Sequence, residues 1–415
     1  MIQNKTMLSV AEALNLLLGA ARAVTEIESI PTLSANGRVL AQAQRSMLNV
    51  PPQDNTHMDG YAVRVGDCVD GAARLLVSQR IPAGHIGTPL SVGTAARIFT
   101  GAFIPEGADA VVMQEQCSVE IEGDQTYVHV GHAPKLGEWI RRRGEDILAG
   151  AEILPVGVRL RAQELGLAAS VGLATLPVLR RLRVAVFFTG DELTMPGEPL
   201  KAGAIYNSNR FLLTALLQNL GCEITDYGIV PDNLDATRNT LRAAASGHDL
   251  IITSGGVSVG EEDHVRPAVE AEGRINMWQI AVKPGKPLAF GEVRRGSDVE
   301  SGDNAFFLGL PGNPVSSLVT FLLFVRPFIL RLQNVTNLTP QSYWMRADFA
   351  ITKADKRNEF LRAKINQDGG LDCFANQSSG VLSSAVWGDG LIDLPAGGTV
   401  AQGDLVKFIP FAGLL

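Results

Sequence analysis

Residues 181–193 read RLRVAVFFTGDEL. An apolar run from Val184 to Phe188 is followed at once by Thr-Gly-Asp-Glu. A strand with one wet face alternates apolar and polar residues, whereas a strand covered on both faces is apolar throughout. The run therefore predicts a buried strand that ends in a loop. The same pattern recurs downstream. NSNRFLLTALLQNLGCEI supplies a polar cap, a helix over 210–220 and Gly221 as its stop. CEITDYGIV is a second strand and LDATRNTLRAAASG a second helix. DLIITSGGVSVG is a third strand and loop, and NAFFLGLPGNPVSSLVTFLLF a last strand, loop and helix. Strands alternating with helices of this length predict an α/β domain over 181–332, built on a parallel sheet with helices on both faces. In such sheets ligands sit at the carboxyl ends of the strands.

Outside this region the texture changes. Residues 46–146 hold short β-rich runs (AARLLVSQ, AARIFTG, DAVVMQEQ, TYVHV) broken by Gly and Pro, which predicts a small β-rich lid module. Residues 1–45 and 147–180 read as an elongated helical linker module, with one helix over 9–22 capped by Ser9 and another in RAQELGLAASVG, 161–172. Residues 335–415 return to short strands (RADFAI, FLRAKI, GLIDLP, LVKFIPF), the pattern of a small C-terminal β-barrel or sandwich, taken here as a barrel. The fold class expected is multidomain α/β plus β.

The 415 residues exceed one ordinary core and suit two to four domains. With 36 basic and 43 acidic residues the net charge is −7, the wrong sign for a chain whose main task is gripping a nucleic-acid backbone. Cys68, Cys117, Cys222 and Cys373 form no CxxC pair, and the six histidines show no ligand spacing. That argues against a zinc site or a disulfide framework and fits a reducing cytoplasm. The N-terminus carries one early lysine and then Glu12, the pattern of an amphipathic helix rather than a signal peptide. The most apolar stretch, 315–330, is diluted by Ser316, Ser317 and Thr320 and ended by Arg326-Pro327, short of about 20 apolar residues. It reads as a buried helix, not a membrane span.

Three loops of the α/β region should lie side by side at one sheet edge: Thr189-Gly190-Asp191-Glu192, the stretch from Ser254 through Gly255, Gly256 and Ser258, and Leu310-Pro311-Gly312-Asn313-Pro314. Their glycines let backbone N–H groups approach a ligand, and the helix starting near Val315 aims its positive end at the same place. Glu192, Asp232 and Asp263 each follow a strand-like run. Gathered carboxylates need a cation, and Mg²⁺ shared with phosphate oxygens would supply it; ordinary helix N-cap residues give the same pattern. VKPGKP presents Lys283 and Lys286 on a rigid turn suited to an oxyanion, though a solvated turn reads alike. RRRGED, 141–146, is a basic run or a surface patch. The pattern favours metal-assisted phosphate chemistry over covalent catalysis.

Seven motifs stand in one order: NTHMDGYAVR, RIFTGAFIPEGADAVVMQE, RRRGEDI, FFTGDEL, ITSGGVSVGEED, VKPGKP and GLPGNPVS. With them almost the whole chain resembles the molybdopterin molybdenumtransferase family, the MoeA proteins and gephyrin E domains. The resemblance implies a molybdopterin-binding type of α/β domain. It also implies insertion of molybdate into the dithiolene of adenylyl-molybdopterin, with Mg²⁺-assisted release of AMP. Glu192, Asp232 and Asp263 would then serve the metal and pyrophosphate, and Asp59, Thr100 and Asp146 would complete the catalytic set. Thr189, Gly190, Ser208, Asn209, Ser254, Gly255, Gly256 and Ser258 would cradle nucleotide and pterin, with Pro311, Gly312, Asn313 and Pro314 opposite. Lys283, Lys286, Arg362 and Ser379 would hold molybdate. The family pattern further implies a homodimer whose cleft lies at the subunit interface, with a molybdopterin-adenylylating enzyme and recipient molybdoenzymes as partners. A molybdopterin-binding or scaffold protein without turnover is the other expectation the resemblance carries.

Overall fold

The structure is a computed structural model, and it describes residues 7–69, 71–256, 264–285, 287–296 and 304–414. Of the residues singled out above, Ser258, Asp263 and Lys286 lie outside the described ones.

At the centre is a six-stranded sheet. Its order is Glu223–Val230, Arg183–Thr189, Leu250–Ser254, Asn304–Leu310, Pro287–Arg294, Gly273–Gln279. The first four strands are parallel, as expected; the last two add antiparallel. The sequence reading does not include that added pair, whose runs are interrupted by Gly291 and polar residues. The apolar runs work as anticipated, because successive side chains point to opposite faces. Val184, Val186, Phe188, Leu250, Ile252, Phe306, Leu308 and Leu310 pack into one core, and Ala185, Phe187, Ile251, Ala305 and Phe307 into the other. The helices Leu234–Gly247 and Val265–Glu272 cover the second face.

The first face is covered by Ser208–Asn219 and by the long helix Pro314–Leu332. That helix is long and apolar enough to cross a membrane, but 83% of its most apolar window is buried in this core. The N-terminal helix Val10–Ala20 joins the same core through Ala13 and Leu17. Ser9 caps it as expected: Glu12 N–H donates to Ser9 Oγ at 3.2 Å and Ser9 N–H donates to Glu12 Oε2 at 2.8 Å. The expected module 1–45 is therefore divided, its helix belonging with the α/β core.

The rest of the linker is built by out-and-back pairing. Ile27–Pro31 runs antiparallel to Thr175–Leu179, Gln44–Arg45 to Glu152–Leu154, and Asn55–Thr56 to Ile140–Arg141. The lid module is thus an insertion carried on paired strands. Its sheet has six strands, and its cores are its own. In the C-terminal region five strands, joined by Val282–Lys283, form a six-stranded half-barrel. Phe360, Leu391, Ile409 and Phe411 from this region enter the core shared with the α/β domain.

Glu272 ties the two helices of the second face together. It accepts from Arg238 Nε at 2.7 Å and from Arg242 Nη2 at 2.7 Å, and the Arg242 bond is the main reason its carboxyl is held down to about 2. A carboxyl depressed in the folded state contributes stability above its unfolded value near 4.5, and that contribution is lost as pH falls toward about 2. Both arginines are partly solvated, so the contribution is roughly 1–2 kcal/mol. Glu272→Gln should lower the thermal midpoint at pH 7, and the gap to the parent protein should close as the pH is lowered from 4.5 toward 2. A gap that persists undiminished at low pH would assign the effect to packing instead.

Candidate functional site

Parallel pairing places the strand ends in register: Phe188 opposite Ser254, and Ser254 opposite Leu310. The three loops therefore open side by side, as the sequence predicts. Between them and the C-terminal half-barrel lies a cleft of about 760 Å³, a size ordinary for a small-molecule site.

The loops are tied to one another. Asn209, in the first turn of its helix, donates from Nδ2 to Ser254 Oγ at 2.8 Å and to the Gly312 carbonyl at 2.7 Å. Ser254 Oγ in turn donates to the Pro311 carbonyl at 3.0 Å, and Gly255 N–H donates to the Leu310 carbonyl at 3.2 Å. Gly255 has φ +98°, and a Cβ there would stand 2.7 Å from the Thr189 carbonyl oxygen. Only glycine lets the second loop lie this close against the first.

The other wall carries charge. Val282 and Lys283 pair as a short parallel strand with Asn358 and Glu359, so the α/β domain and the half-barrel share a hydrogen-bond ladder. Lys283 Nζ lies 2.6 Å from Glu359 Oε1 and 3.3 Å from Asp355 Oδ2. The hydrogen bond with Glu359 leads the effects that raise the Lys283 pKa, which keeps it cationic. Arg357 grips the Asp355 carboxylate with Nε at 3.0 Å and Nη2 at 2.9 Å, the main lowering influence on that carboxyl. Two cations face two carboxylates, so this corner attracts an oxyanion by directed hydrogen bonds rather than by net field. Gly285 seats the lysine turn on the long helix: a Cβ there would meet Thr320 Oγ1 at 2.8 Å.

Among the expected residues, Thr189, Glu192, Asn209, Ser254, Gly255, Gly256, Lys283, Pro311, Gly312, Asn313, Pro314 and Ser379 line the cleft. The helix end is partly used internally, because Val315 N–H donates to the Ser379 carbonyl at 2.9 Å. Gly190 is folded under the Glu192 carboxylate. Ser208 is exposed at the start of its helix, off the cleft wall. Asp232 follows the edge strand Glu223–Val230, also off the wall. Among the described residues no three His, Cys, Asp or Glu side chains are gathered to hold a metal.

Arg362 corrects the reading of it as a direct oxyanion ligand. It is fully buried, with Nε donating to Ser384 Oγ at 2.9 Å and Nη2 to the Ser378 carbonyl at 3.2 Å. Burial lowers its pKa to about 10. Its place is behind the wall, where it holds the 377–379 segment against the cleft. Arg357, Ser316, Gln377, Ser378 and Asn207 line the cleft without having been singled out from sequence. Asn207 carried a legible signal, as the polar cap of a helix that starts beside the first loop.

Asp59, Thr100 and Asp146 are not brought to this cleft within one chain. Asp59 and Thr100 do meet each other: Thr100 donates to Asp59 Oδ1 from N at 2.8 Å and from Oγ1 at 2.7 Å. The Thr100 hydroxyl bond leads the effects that hold this half-buried residue's carboxyl below its ordinary range. Asp146 is exposed near the paired strands that carry the lid.

Three family models match successive stretches of the chain. The family model for the MoeA N-terminal region (domains I and II) matches residues 8–172, that for a probable molybdopterin binding domain matches 185–331, and that for the MoeA C-terminal region (domain IV) matches 345–411. The molybdopterin molybdenumtransferase of Haemophilus influenzae is 39% identical over 415 residues, spanning 99% of this chain and 100% of that protein. That of a Nostoc species is 37% identical, covering 90% of this chain and 86% of its own. The crystal structure of the MoeA protein of Pyrococcus horikoshii OT3 superposes with a TM-score of 0.81 at 28% identity, covering 98% of this chain and 100% of that one.

Gly255→Ala tests the close approach of the first two loops. A side chain at φ +98° and 2.7 Å from a carbonyl oxygen should cost about 1–3 kcal/mol. The expected result is a lower thermal midpoint with faster hydrogen exchange in segment 250–256. An unchanged midpoint would mean the loops are not packed as described.

Proposed function

The chain belongs to the MoeA family of molybdopterin molybdenumtransferases, transferases of molybdenum cofactor biosynthesis, and on that premise we propose that it inserts molybdate into the dithiolene of adenylyl-molybdopterin and releases AMP. The observation that carries the reading is the cleft itself. A cradle of three adjacent loops, with Glu192 on its wall, faces a corner where Lys283 and Arg357 present N–H donors. Such a site suits a ligand with a heterocyclic part and an oxyanion part.

The chain's residues divide the work as follows. Backbone at Gly255–Gly256 and Pro311–Asn313 supports the phosphate-bearing ligand, where glycine permits close approach. Lys283 and Arg357 hold molybdate oxygens through charge-assisted hydrogen bonds, in exchange for part of their present bonding to Asp355 and Glu359. Glu192 supplies a carboxylate to the wall. One carboxylate beside substrate phosphates fits Mg²⁺, which takes one or two protein carboxylates and fills the rest of its shell with phosphate oxygens and water. Glu192 would help to hold the ion, which would supply charge neutralisation at the phosphate oxygens. A cytoplasmic setting fits the four free cysteines.

Asp59 and Thr100 form a ready-made acid–hydroxyl pair outside the wall of this cleft. Their use in the reaction calls for a second copy whose lid reaches the cleft, hence a homodimer with shared sites.

Purified protein with adenylyl-molybdopterin, Mg²⁺ and molybdate should release AMP and activate an apo-molybdoenzyme. Bound substrate with no AMP release at millimolar molybdate would leave a binding role only. Glu192→Ala should lower turnover on the order of 100-fold with little change in substrate affinity. Mixing inactive Glu192→Ala and Asp59→Asn subunits should restore about a quarter of the sites, because half the dimers are mixed and each has one intact site. No recovery in verified mixed dimers would rule out a shared cleft.

A further inference from the structure

The Asp59–Thr100 pair sits where three segments of the lid meet. Asp59 directly precedes the strand Gly60–Val63, and Thr100 lies just past the strand Thr94–Ile98. Gly60 pairs with Ile98 on one side and with Met113, the end of Ala110–Met113, on the other. A Cβ at Gly60 would overlap the Val112 carbonyl oxygen, so the crossing takes only glycine. Both members of the pair nevertheless stand outside the ladders, Thr100 exposed and Asp59 half-buried. Strand pairing alone does not hold a side chain in such a place.

One guanidinium ties these segments together. Arg97 Nη1 donates to the Gly60 carbonyl at 2.9 Å and to the Ile98 carbonyl at 3.3 Å, and Nη2 donates to Gln114 Oε1 at 2.5 Å. Gln114 N–H in turn donates to the carbonyl of Asp59 at 3.1 Å. Asp59 is thus gripped twice, through Gln114 at its own carbonyl and through Arg97 at that of the next residue. The guanidinium is seated on aromatic faces, 4.5 Å from the ring centre of Phe99 and 5.3 Å from that of Tyr61. Phe99 is the residue before Thr100. A planar fork of N–H donors serves three acceptors at once, and a lysine ammonium on its flexible stem cannot match that fork. The two Thr100 bonds lead the effects that lower the Asp59 carboxyl, and the charge of Arg97 adds to them.

Arg97 lies off the cleft wall, and its Nη1 and Nη2 both bond within the lid. We propose that Arg97 is a positioning residue: through Gly60, Gln114 and Phe99 it holds the Asp59 carboxylate and the Thr100 hydroxyl in the mutual geometry that molybdenum insertion uses. This rests on the part given to that pair in the function proposed above. Every bond of the network lies inside the lid, so the pair is built before it meets a cleft. Such preorganisation spares the reaction the cost of ordering two side chains.

The test uses the full-length protein and two variants. Arg97→Lys keeps the charge and removes the fork. Gln114→Ala, at an exposed position, removes one anchor and leaves the aromatic seat intact. Thermal midpoints establish that both fold. Hydrogen exchange followed by mass spectrometry over 98–102 reads the Thr100 N–H bond to Asp59 without any need for turnover. Steady-state AMP release reads the reaction. In Arg97→Lys, exchange over 98–102 should rise about fivefold while the strand Leu250–Ser254 exchanges as in the parent. Its kcat should fall roughly tenfold, with KM for molybdate within about twofold of the parent, a split that mere loss of stability would not give. Gln114→Ala should move both readings the same way by less. Exchange at parent rates in both folded variants would overturn the proposal, as would faster exchange with a parent-like kcat. Faster exchange in the variants of a parent that releases no AMP would support the hold of Arg97 on the pair and sink the transferase mechanism instead.

Discussion

Three parallel strands end at the same level, and one side-chain amide ties together the loops after two of them. Asn209 reaches from the helix Ser208–Asn219 to Ser254 after one strand and to Gly312 after another. Ser254 continues the chain of bonds to Pro311. Loops rich in glycine lose much conformational entropy on ordering, so the cradle depends on contacts of this kind. Because Asn209 is buried and its helix packs on the sheet through Leu213, Leu216 and Leu217, the network inherits the rigidity of the core. The shape of the cleft follows from strand register and from this one amide.

The charged corner depends on a second constraint. Lys283 stands in a two-residue strand that completes the sheet of the half-barrel. The C-terminal domain is therefore seated on the α/β domain by backbone bonds and by a shared apolar core. Its carboxylates, Asp355 and Glu359, hold the cations in place at the expense of their net field. Arg362 serves the same end from behind, spending its donors on Ser384 and Ser378. A cation held in this way selects by geometry, since an arriving oxyanion must match the donors to compete with the carboxylates.

Much of this was legible along the chain. The buried strands at 183–189, 250–254 and 304–310 announced themselves because both faces are covered, and each was followed by glycine or proline. From these, the adjacency of three loops followed by the rules of parallel sheets. Ser9 and Gly221 marked helix ends in the places found. The antiparallel pair Gly273–Gln279 and Pro287–Arg294 was not legible, since its sequence is interrupted and its pairing is with strands rather than with a local turn. Arg357 was not legible either. It sits in the polar run Asp355-Lys356-Arg357-Asn358-Glu359, and nothing local distinguishes it from a solvated arginine.

The sequence by itself determined the alternation of strand and helix, the loops that can approach a ligand, and the kinds of charge available, because these depend on side-chain periodicity and on backbone freedom at single residues. Tertiary structure alone decided which charges share a space. Lys283 meets Asp355 and Glu359 across some seventy residues, Arg362 turns inward while Arg357 lines the cleft, and Asp59 finds Thr100 but not the cleft. The physical reason is that burial and pairing are properties of packed surfaces, and no local pattern in a chain records which distant strand will supply the partner.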